Sequence, residues 1–243
     1  MGKRSLALST FKVSIWGACT SFTYLKQLKV DAAKQKNWNI LFDLKHARAM
    51  SKGTYLFLPE EQADKVYLLV EGSVKVGTYG AAGREITKAI YSAGELLGEE
   101  ALFGTATRRN FACTLEKSTI AIVNVHDFQR KIRQHHDLHI ALIQTVGERL
   151  LETEQRLESM VFKNSRSRII EFLHQMGERQ GQRVGYEMLV RKFLTHQEIA
   201  NLTATSRQTV TTILNELRNA NVLTFNRKRL LIRDMDRLAA MVA

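Results

Sequence analysis

Hydrophobic and polar positions change their period along this chain. From about Gly53 to Val125 the apolar residues come in short runs: Tyr55-Leu56-Phe57-Leu58, Val66-Tyr67-Leu68-Leu69-Val70, Ser73-Val74-Lys75-Val76 and Ile120-Ala121-Ile122-Val123. β-Branched and aromatic residues suit a pleated, half-buried surface, so each run predicts a strand. Glycines at 72, 80, 83, 94, 98 and 104 punctuate the runs, at intervals that suit an antiparallel roll or barrel. Cys113 falls inside this block and reads as a core side chain in a strand.

After Asp137 the period lengthens. Ile143, Val146, Leu150, Thr153, Leu157 and Met160 recur in alternating steps of three and four, the a/d pattern of a coiled-coil seam. Glu148, Arg149, Glu152, Glu154, Arg156 and Glu158 flank it. A stripe so narrow stays exposed unless a partner covers it, so the helix predicts a parallel homodimer seam, with part of its length packed on the β-domain. Thr153 is the one polar residue in that seam. Phe162-Lys163-Asn164-Ser165 breaks the pattern and supplies helix caps, the signature of a hinge. Beyond it Ile169, Ile170, Phe172 and Leu173 share one helical face, and Gly181 and Gly185 mark a loop.

The pattern then carries chemistry. Thr195-His196-Gln197-Glu198 is a capping box that opens a short helix through Leu202. A turn at Thr203-Ala204-Thr205 leads to a second helix from Ser206 to about Asn219. Its buried face is Val210, Ile213, Leu214 and Leu217, and its other face carries Gln208, Thr211, Thr212 and Asn215, with Arg207 in the first turn. Two short helices joined by a tight turn, the second presenting such residues, predict a helix-turn-helix. Arg207 suits guanine O6 and N7, and Gln208 suits adenine N6 and N7. Thr195, Gln197, Ser206 and Thr209, with the helix N-termini, suit phosphates, while Thr211 and Thr212 sit on the exposed face. Downstream, Val222-Leu223-Thr224-Phe225 and Leu230-Leu231-Ile232 flank Asn226-Arg227-Lys228-Arg229. That predicts a two-stranded wing with Arg227 and Lys228 at its basic tip.

Charge sharpens this picture. The chain of 243 residues holds 36 Lys+Arg against 24 Asp+Glu, a net of +12. Residues 1–36 hold 7 basic and 1 acidic, residues 37–163 hold 16 of each, and residues 164–243 hold 13 and 7, giving +6, 0 and +6. A neutral middle beside a basic C-terminal segment points one part of the chain at a polyanion. Two cysteines, Cys19 and Cys113, are too few for a disulfide framework, a four-cysteine zinc site or a four-cysteine iron–sulfur cluster, which suits a reducing compartment. No apolar run reaches the ~18–20 residues of a membrane span. Gly2-Lys3-Arg4 and the stretch ending Trp16-Gly17-Ala18-Cys19 have the outline of a leader, but Lys12 interrupts it and Trp16 suits no cleavage site. Residues 1–36 therefore read as a basic N-terminal extension of a cytoplasmic protein. No paired carboxylates or nucleophile–base motif points to an enzyme.

Together the β-block, long helix and winged helix-turn-helix resemble the Crp/Fnr family of bacterial transcription regulators over about residues 37–235. Gly94-Glu95-Leu96-Leu97-Gly98-Glu99-Glu100-Ala101-Leu102-Phe103, followed by Arg109, resembles the family's phosphate-binding cassette. Thr205-Ser206-Arg207-Gln208-Thr209-Val210 resembles the start of its recognition helix. The resemblance implies an α+β chain: an antiparallel, jelly-roll-like β-roll sensor domain over 37–136, a dimerisation helix over 137–163 and a winged helix-turn-helix domain over 164–243. It implies a homodimer on a palindromic duplex, with RNA polymerase as a further partner and an effector in the roll contacting the long helix near Thr153.

Gly98, Glu99, Arg109 and Thr153 match the residues that hold cyclic AMP in members that bind it, but Asn110, Phe111 and Glu154 replace a serine, a small residue and a second serine. Asn110 can still donate to a phosphate, Phe111 takes up room, and Glu154 sets an acid beside an anionic ligand. A cyclic nucleotide is thus one reading of the effector and another ligand or none is the other, in which Glu99 and Arg109 form an ion pair within the roll. Only Cys19 lies where the family's cluster-binding members place a cysteine group, so no iron–sulfur cluster is expected. His135, His136 and His139 read as solvated at a helix start rather than as haem ligands. A second reading of the whole is a cyclic-nucleotide-sensing module whose helical domain docks a protein in place of DNA.

Overall fold

The computed structural model describes residues 38–80 and 83–242. The extension over 1–36, with its leader-like stretch, lies outside the described residues. The roll consists of β1 (Arg48–Met50), β2 (Tyr55–Phe57), β3 (Lys65–Glu71), β4 (Ser73–Tyr79), β5 (Glu85–Ser92), β6 (Leu96–Leu97), β7 (Phe111–Thr114) and β8 (Ser118–Asn124). These pair antiparallel in two four-stranded sheets, ordered β1-β8-β3-β6 and β2-β7-β4-β5.

Alternation along each strand decides what meets between the sheets. Tyr67 and Leu69 of β3 join Phe57, Val74, Leu97, Ala112 and Ile120 in one buried cluster. Val66 and Leu68 point the other way, into a cluster with Trp38, Leu41 and Phe128. With both faces covered, β3 reads as an unbroken apolar run. At the β3–β4 turn, Gly72 adopts φ 98°, and a Cβ there would sit 2.7 Å from the Cβ of Ser118. Neither demand suits an L side chain.

The helices follow. α1 (Val125–Ile132) is capped by Asn124, whose side chain accepts from the His126 amide. α2 runs unbroken from His136 to Phe162, 27 residues. Its Leu138, Ala141 and Thr145 are buried, while Ile143, Leu150 and Leu157 remain 72%, 59% and 63% exposed. Part of the helix thus packs on its own chain, and the a/d stripe is left uncovered within one protomer. Lys163 and Asn164 then adopt extended backbone, and the Asn164 side chain accepts from Ser167 N to start α3 (Ser165–Gln180).

In the C-terminal part the 181–185 segment is more ordered than the expected loop. β9 (Gln182–Val184) and β10 (Glu187–Val190) form a hairpin that turns at Gly185, φ 62°. After α4 (His196–Thr203) and α5 (Arg207–Asn219) come β11 (Leu223–Phe225), β12 (Leu230–Ile232) and the short α6 (Met235–Ala240). The wing is not an isolated two-stranded ribbon, because β12 pairs with β10 on its free side to give a sheet ordered β11-β12-β10-β9. A lone hairpin is marginal, and pairing Met188–Val190 with Leu230–Ile232 gives it a second support. Ile169, Ile170 and Leu173 of α3 and Val210, Leu214 and Leu217 of α5 meet these strands in one core.

This C-terminal part also touches the roll. Asn201 Nδ2 of α4 donates to Glu85 Oε1 of β5 at 3.0 Å. Arg156 Nη2 of α2 donates to the carbonyls of Leu202 at 2.9 Å and Thr87 at 3.3 Å. One guanidinium thereby joins the long helix, the roll and the first helix of the helix-turn-helix.

Candidate nucleic-acid interface and effector cradle

The interface is built from two capped helix starts and a basic turn. At α4 both halves of the capping box form: Glu198 N donates to Thr195 Oγ1 at 3.2 Å and Thr195 N donates to Glu198 Oε2 at 2.7 Å. α4 ends on Ala204 in the left-handed region, φ 52° and ψ 46°, which turns the chain sharply into the next helix. At α5 Thr209 N donates to Ser206 Oγ at 3.0 Å. Val210, Ile213, Leu214 and Leu217 are buried, so Arg207, Gln208 and Thr212 face outwards and are exposed. Arg207 and Gln208 make no side-chain hydrogen bond or ion pair with any described residue, which leaves their donors available to a partner.

The remaining expected contacts are less free. Gln197 Nε2 donates to Asn201 Oδ1 at 2.8 Å along the same helix. Thr211 Oγ1 donates to the Arg207 carbonyl at 2.9 Å, and its oxygen lies 2.8 Å from His196 Nδ1. In the wing, Asn226 Oδ1 accepts from Lys228 N and Arg229 N, both at 2.9 Å, and holds the turn with Arg227 and Lys228 exposed. Between the α4 start, the α5 start and the wing lies a cleft of about 830 Å³, whose lining includes Phe193, His196, Arg207, Phe225 and Arg227.

In the roll the structure moves one expected role. Arg109 is exposed, whereas the guanidinium of Arg108, 2% exposed, enters the cassette. Arg108 Nη1 donates to the Gly98 carbonyl and pairs with Glu100, each at 3.0 Å, Nη2 donates to the Lys65 carbonyl, and the guanidinium lies 4.5 Å from the Phe57 ring centre. Gly98 is required here: its φ is 74°, and a Cβ would come 2.9 Å from Arg108 Nη1. Ala112 belongs to the inter-sheet cluster and Phe111 does not. The Phe111 ring stacks on Tyr79 at 4.8 Å and meets Tyr55 edge-on at 6.0 Å. It takes up no room between the sheets.

The Glu99–Arg109 ion pair of the alternative reading does not form. Glu99 pairs with Arg149 of α2. Arg149 also donates from Nη2 to the Leu96 carbonyl at 2.7 Å and lies over the Tyr91 ring at 4.5 Å. Burial is the largest single influence and works against its charge, but Glu99, Tyr91 and Glu95 together outweigh it and hold the Arg149 pKa above its ordinary value. The same burial pushes the Tyr91 phenol up to about 12, with Arg149 opposing. Thr153 is exposed and donates to the Arg149 carbonyl at 2.7 Å. Asn110 Oδ1 accepts from Lys88 Nζ at 2.8 Å. Of the expected effector set, Gly98 and Glu99 stand together in the cassette, and Arg109, Asn110 and Thr153 point elsewhere.

Comparison with known proteins covers both halves. Residues 47–135 match the cyclic nucleotide-binding domain and residues 167–241 the Crp-like helix-turn-helix domain. The chain belongs to the Crp/Fnr family. Its relatives include the global nitrogen regulator of Synechocystis sp., 26% identical over 73% of this chain and 80% of that one. Another is the CRP-like cAMP-activated global transcriptional regulator of Mycobacterium tuberculosis, 27% identical over 77% and 84%. Among solved structures, a CooA mutant from Carboxydothermus hydrogenoformans superposes with a TM-score of 0.71 at 27% identity, covering 82% of this chain and 89% of that one.

As a Crp/Fnr member the protein is a dimeric transcription regulator, with an effector-binding cyclic-nucleotide-type domain and a DNA-binding helix-turn-helix. No described helix is long and apolar enough to cross a membrane. Sequence reasoning missed His196, Arg108 and Arg149. The doublet Arg108-Arg109 gave no local sign of which side chain enters the roll. Arg149 looked like one charge on a solvated flank. The only signal at His196 was a ring at the first helical position beside an aromatic wing.

Proposed function

We propose that this regulator binds a two-fold symmetric duplex as a homodimer through α5, with base reading by Arg207 and Gln208 and phosphate contacts by Thr195, Gln197, Ser206, Thr209, Arg227 and Lys228. One observation carries the reading: Arg207 and Gln208 stand exposed and uncommitted at the capped start of α5, and the exposed Arg227 of the wing lines the same cleft as Arg207. A dimer joined along α2 sets two such helices into successive major-groove turns, so half-sites lie about 10 bp, roughly 34 Å, apart. RNA polymerase is the further partner expected of a regulator so placed, which acts in the cytoplasm.

The effector is not a cyclic nucleotide held as in the cAMP-binding members. Glu99 is already matched by Arg149, and the Nη atoms of Arg108 are occupied by the Gly98 and Lys65 carbonyls and Glu100. A ligand entering between roll and α2 has to displace an internal ion pair, and with it a contact between sensor and dimer helix. That contact is a route by which binding shifts the two DNA-binding domains. Selection of a randomised duplex library by the purified protein, with and without cyclic AMP, tests both parts. The reading expects a palindrome enriched equally in both arms. Enrichment only with the nucleotide overturns the effector part, and no enrichment in either arm overturns the DNA-reading part.

A further inference from the structure

His196 is the first residue of α4 and lines the cleft between the helix-turn-helix and the wing. Its Nδ1 lies 2.8 Å from Thr211 Oγ1, and that hydroxyl already donates to the Arg207 carbonyl. The Thr211 oxygen therefore accepts, and the ring must carry its proton on Nδ1. Nε2 makes no hydrogen bond with any described residue. The ring stands edge-on to Phe225 of the wing, with centres 5.7 Å apart. One imidazole thus links α4, α5 and the wing.

We infer that His196 is a titrating DNA contact: neutral in the free protein, it gains a proton on Nε2 against a duplex phosphate, so that affinity for DNA rises as pH falls.

This role rests on the helix-turn-helix reading duplex DNA, and the groups around the ring set its sign. From α5 it meets Arg207, and from the wing Arg227 lines the same cleft. Phe193 and Leu194, before α4, add apolar wall. On α4 itself the Glu198 carboxylate is turned to Thr195, accepting from its N at 2.7 Å and from its Oγ1 at 2.9 Å. No carboxylate faces the ring to favour the imidazolium. Burial and then Arg207 accordingly hold the His196 pKa below its ordinary value. A duplex reverses that balance, because its phosphates offset Arg207 and Arg227 and provide an acceptor for Nε2–H. Linkage gives the sign: the complex binds a proton that the free protein does not, so affinity increases with falling pH, by at most about tenfold per pH unit for one proton. Protonation leaves Nδ1–H in place, so the bond to Thr211 persists in both states and the start of α5 stays positioned.

Fluorescence anisotropy on a mixed-sequence duplex at pH 5.5 and 7.5, over a salt series, tests this with the full chain. The unaltered protein should bind several-fold more tightly at pH 5.5, with a logarithmic salt slope steeper by about 0.9, the value for one added phosphate contact. His196→Asn keeps an amide N–H for Thr211 without titrating, so it should lose the gain in affinity between pH 7.5 and pH 5.5. His196→Arg, whose charge is fixed, should bind tightly at both pH values with a flat profile. Circular dichroism confirms that each variant is folded, and His196→Arg decides if His196→Asn is not. Parallel pH profiles for the unaltered protein and either folded variant would overturn the inference while leaving DNA binding intact. Absence of duplex binding by the unaltered protein at both pH values would overturn it together with the DNA-reading proposal.

Discussion

At the scale of single residues, the site separates into donors that are free and donors that are committed. Arg207 is free, so its replacement should be felt on DNA and not in folding. Arg207→Ala is expected to cost about 1–3 kcal/mol on the selected duplex and to relax preference at one position in each half-site. Uniform weakening over all duplexes, read by the same selection, would make it a phosphate contact. Glu99 is committed, so its replacement should be felt in folding. Glu99→Gln leaves Arg149 partly buried without its counter-charge and is expected to lower stability by about 3 kcal/mol in urea unfolding. The double change Glu99→Leu with Arg149→Met should recover much of that loss, since it removes both charges from an apolar site. An unshifted midpoint in the single variant would show the pair to be incidental. Arg108 marks where the sequence was least legible. The cassette pattern is one residue ambiguous at Arg108-Arg109, and only contacts with distant segments, the Lys65 carbonyl among them, decide which guanidinium enters the roll. The register of β7 takes Phe111 to the outer face under Tyr55 and Tyr79, with Gly77 leaving room for its ring: a Cβ there would lie 2.7 Å from Phe111 Cζ.

At the scale of elements, local signals were the legible ones. The capping box at Thr195, the Ser206 cap, the Asn164 break and the a/d steps of α2 are each encoded within a few residues, and each appears in the structure where the pattern placed it. Pairings between distant segments were not legible. β5 carries Lys88 and Ala89 at its centre, which interrupt its Ile86-Thr87 and Ile90-Tyr91 pairs, yet it pairs with β4 along its length. β9 between the two glycines and β10 just after the second were hidden because the support of β10 comes from Leu230–Ile232, about forty residues on. The proposed dimer joins along the seam of α2. Leu150→Glu with Leu157→Glu puts charges on side chains that are 59% and 63% exposed in one protomer, so helix content should persist while sedimentation falls to the monomer. A dimer that survives both changes would place the interface elsewhere.

At the scale of the molecule, sensor, dimer helix and DNA-binding part share contacts in addition to the backbone hinge at Lys163-Asn164. The Glu99–Arg149 pair joins roll to helix, and Arg156 joins helix to both roll and α4. Burial lowers the pKa of Arg156 below its ordinary value, and its Nη2 serves two backbone carbonyls, so it acts as a strut. Arg156→Met should release the C-terminal part, and calorimetry should then resolve two unfolding transitions in place of one. A single unshifted transition would show that Arg156 is not the coupling contact and that the hinge and the Asn201–Glu85 bond join the parts without it. The proposed regulator is a dimer whose two α5 helices enter one face of a duplex. Its most direct test is affinity for the selected palindrome against the same palindrome with about 5 bp, half a helical turn, inserted between the half-sites. The insertion should reduce binding to the level of a single half-site, because the second helix then faces the wrong side of the DNA. Equal affinity for both duplexes would contradict it.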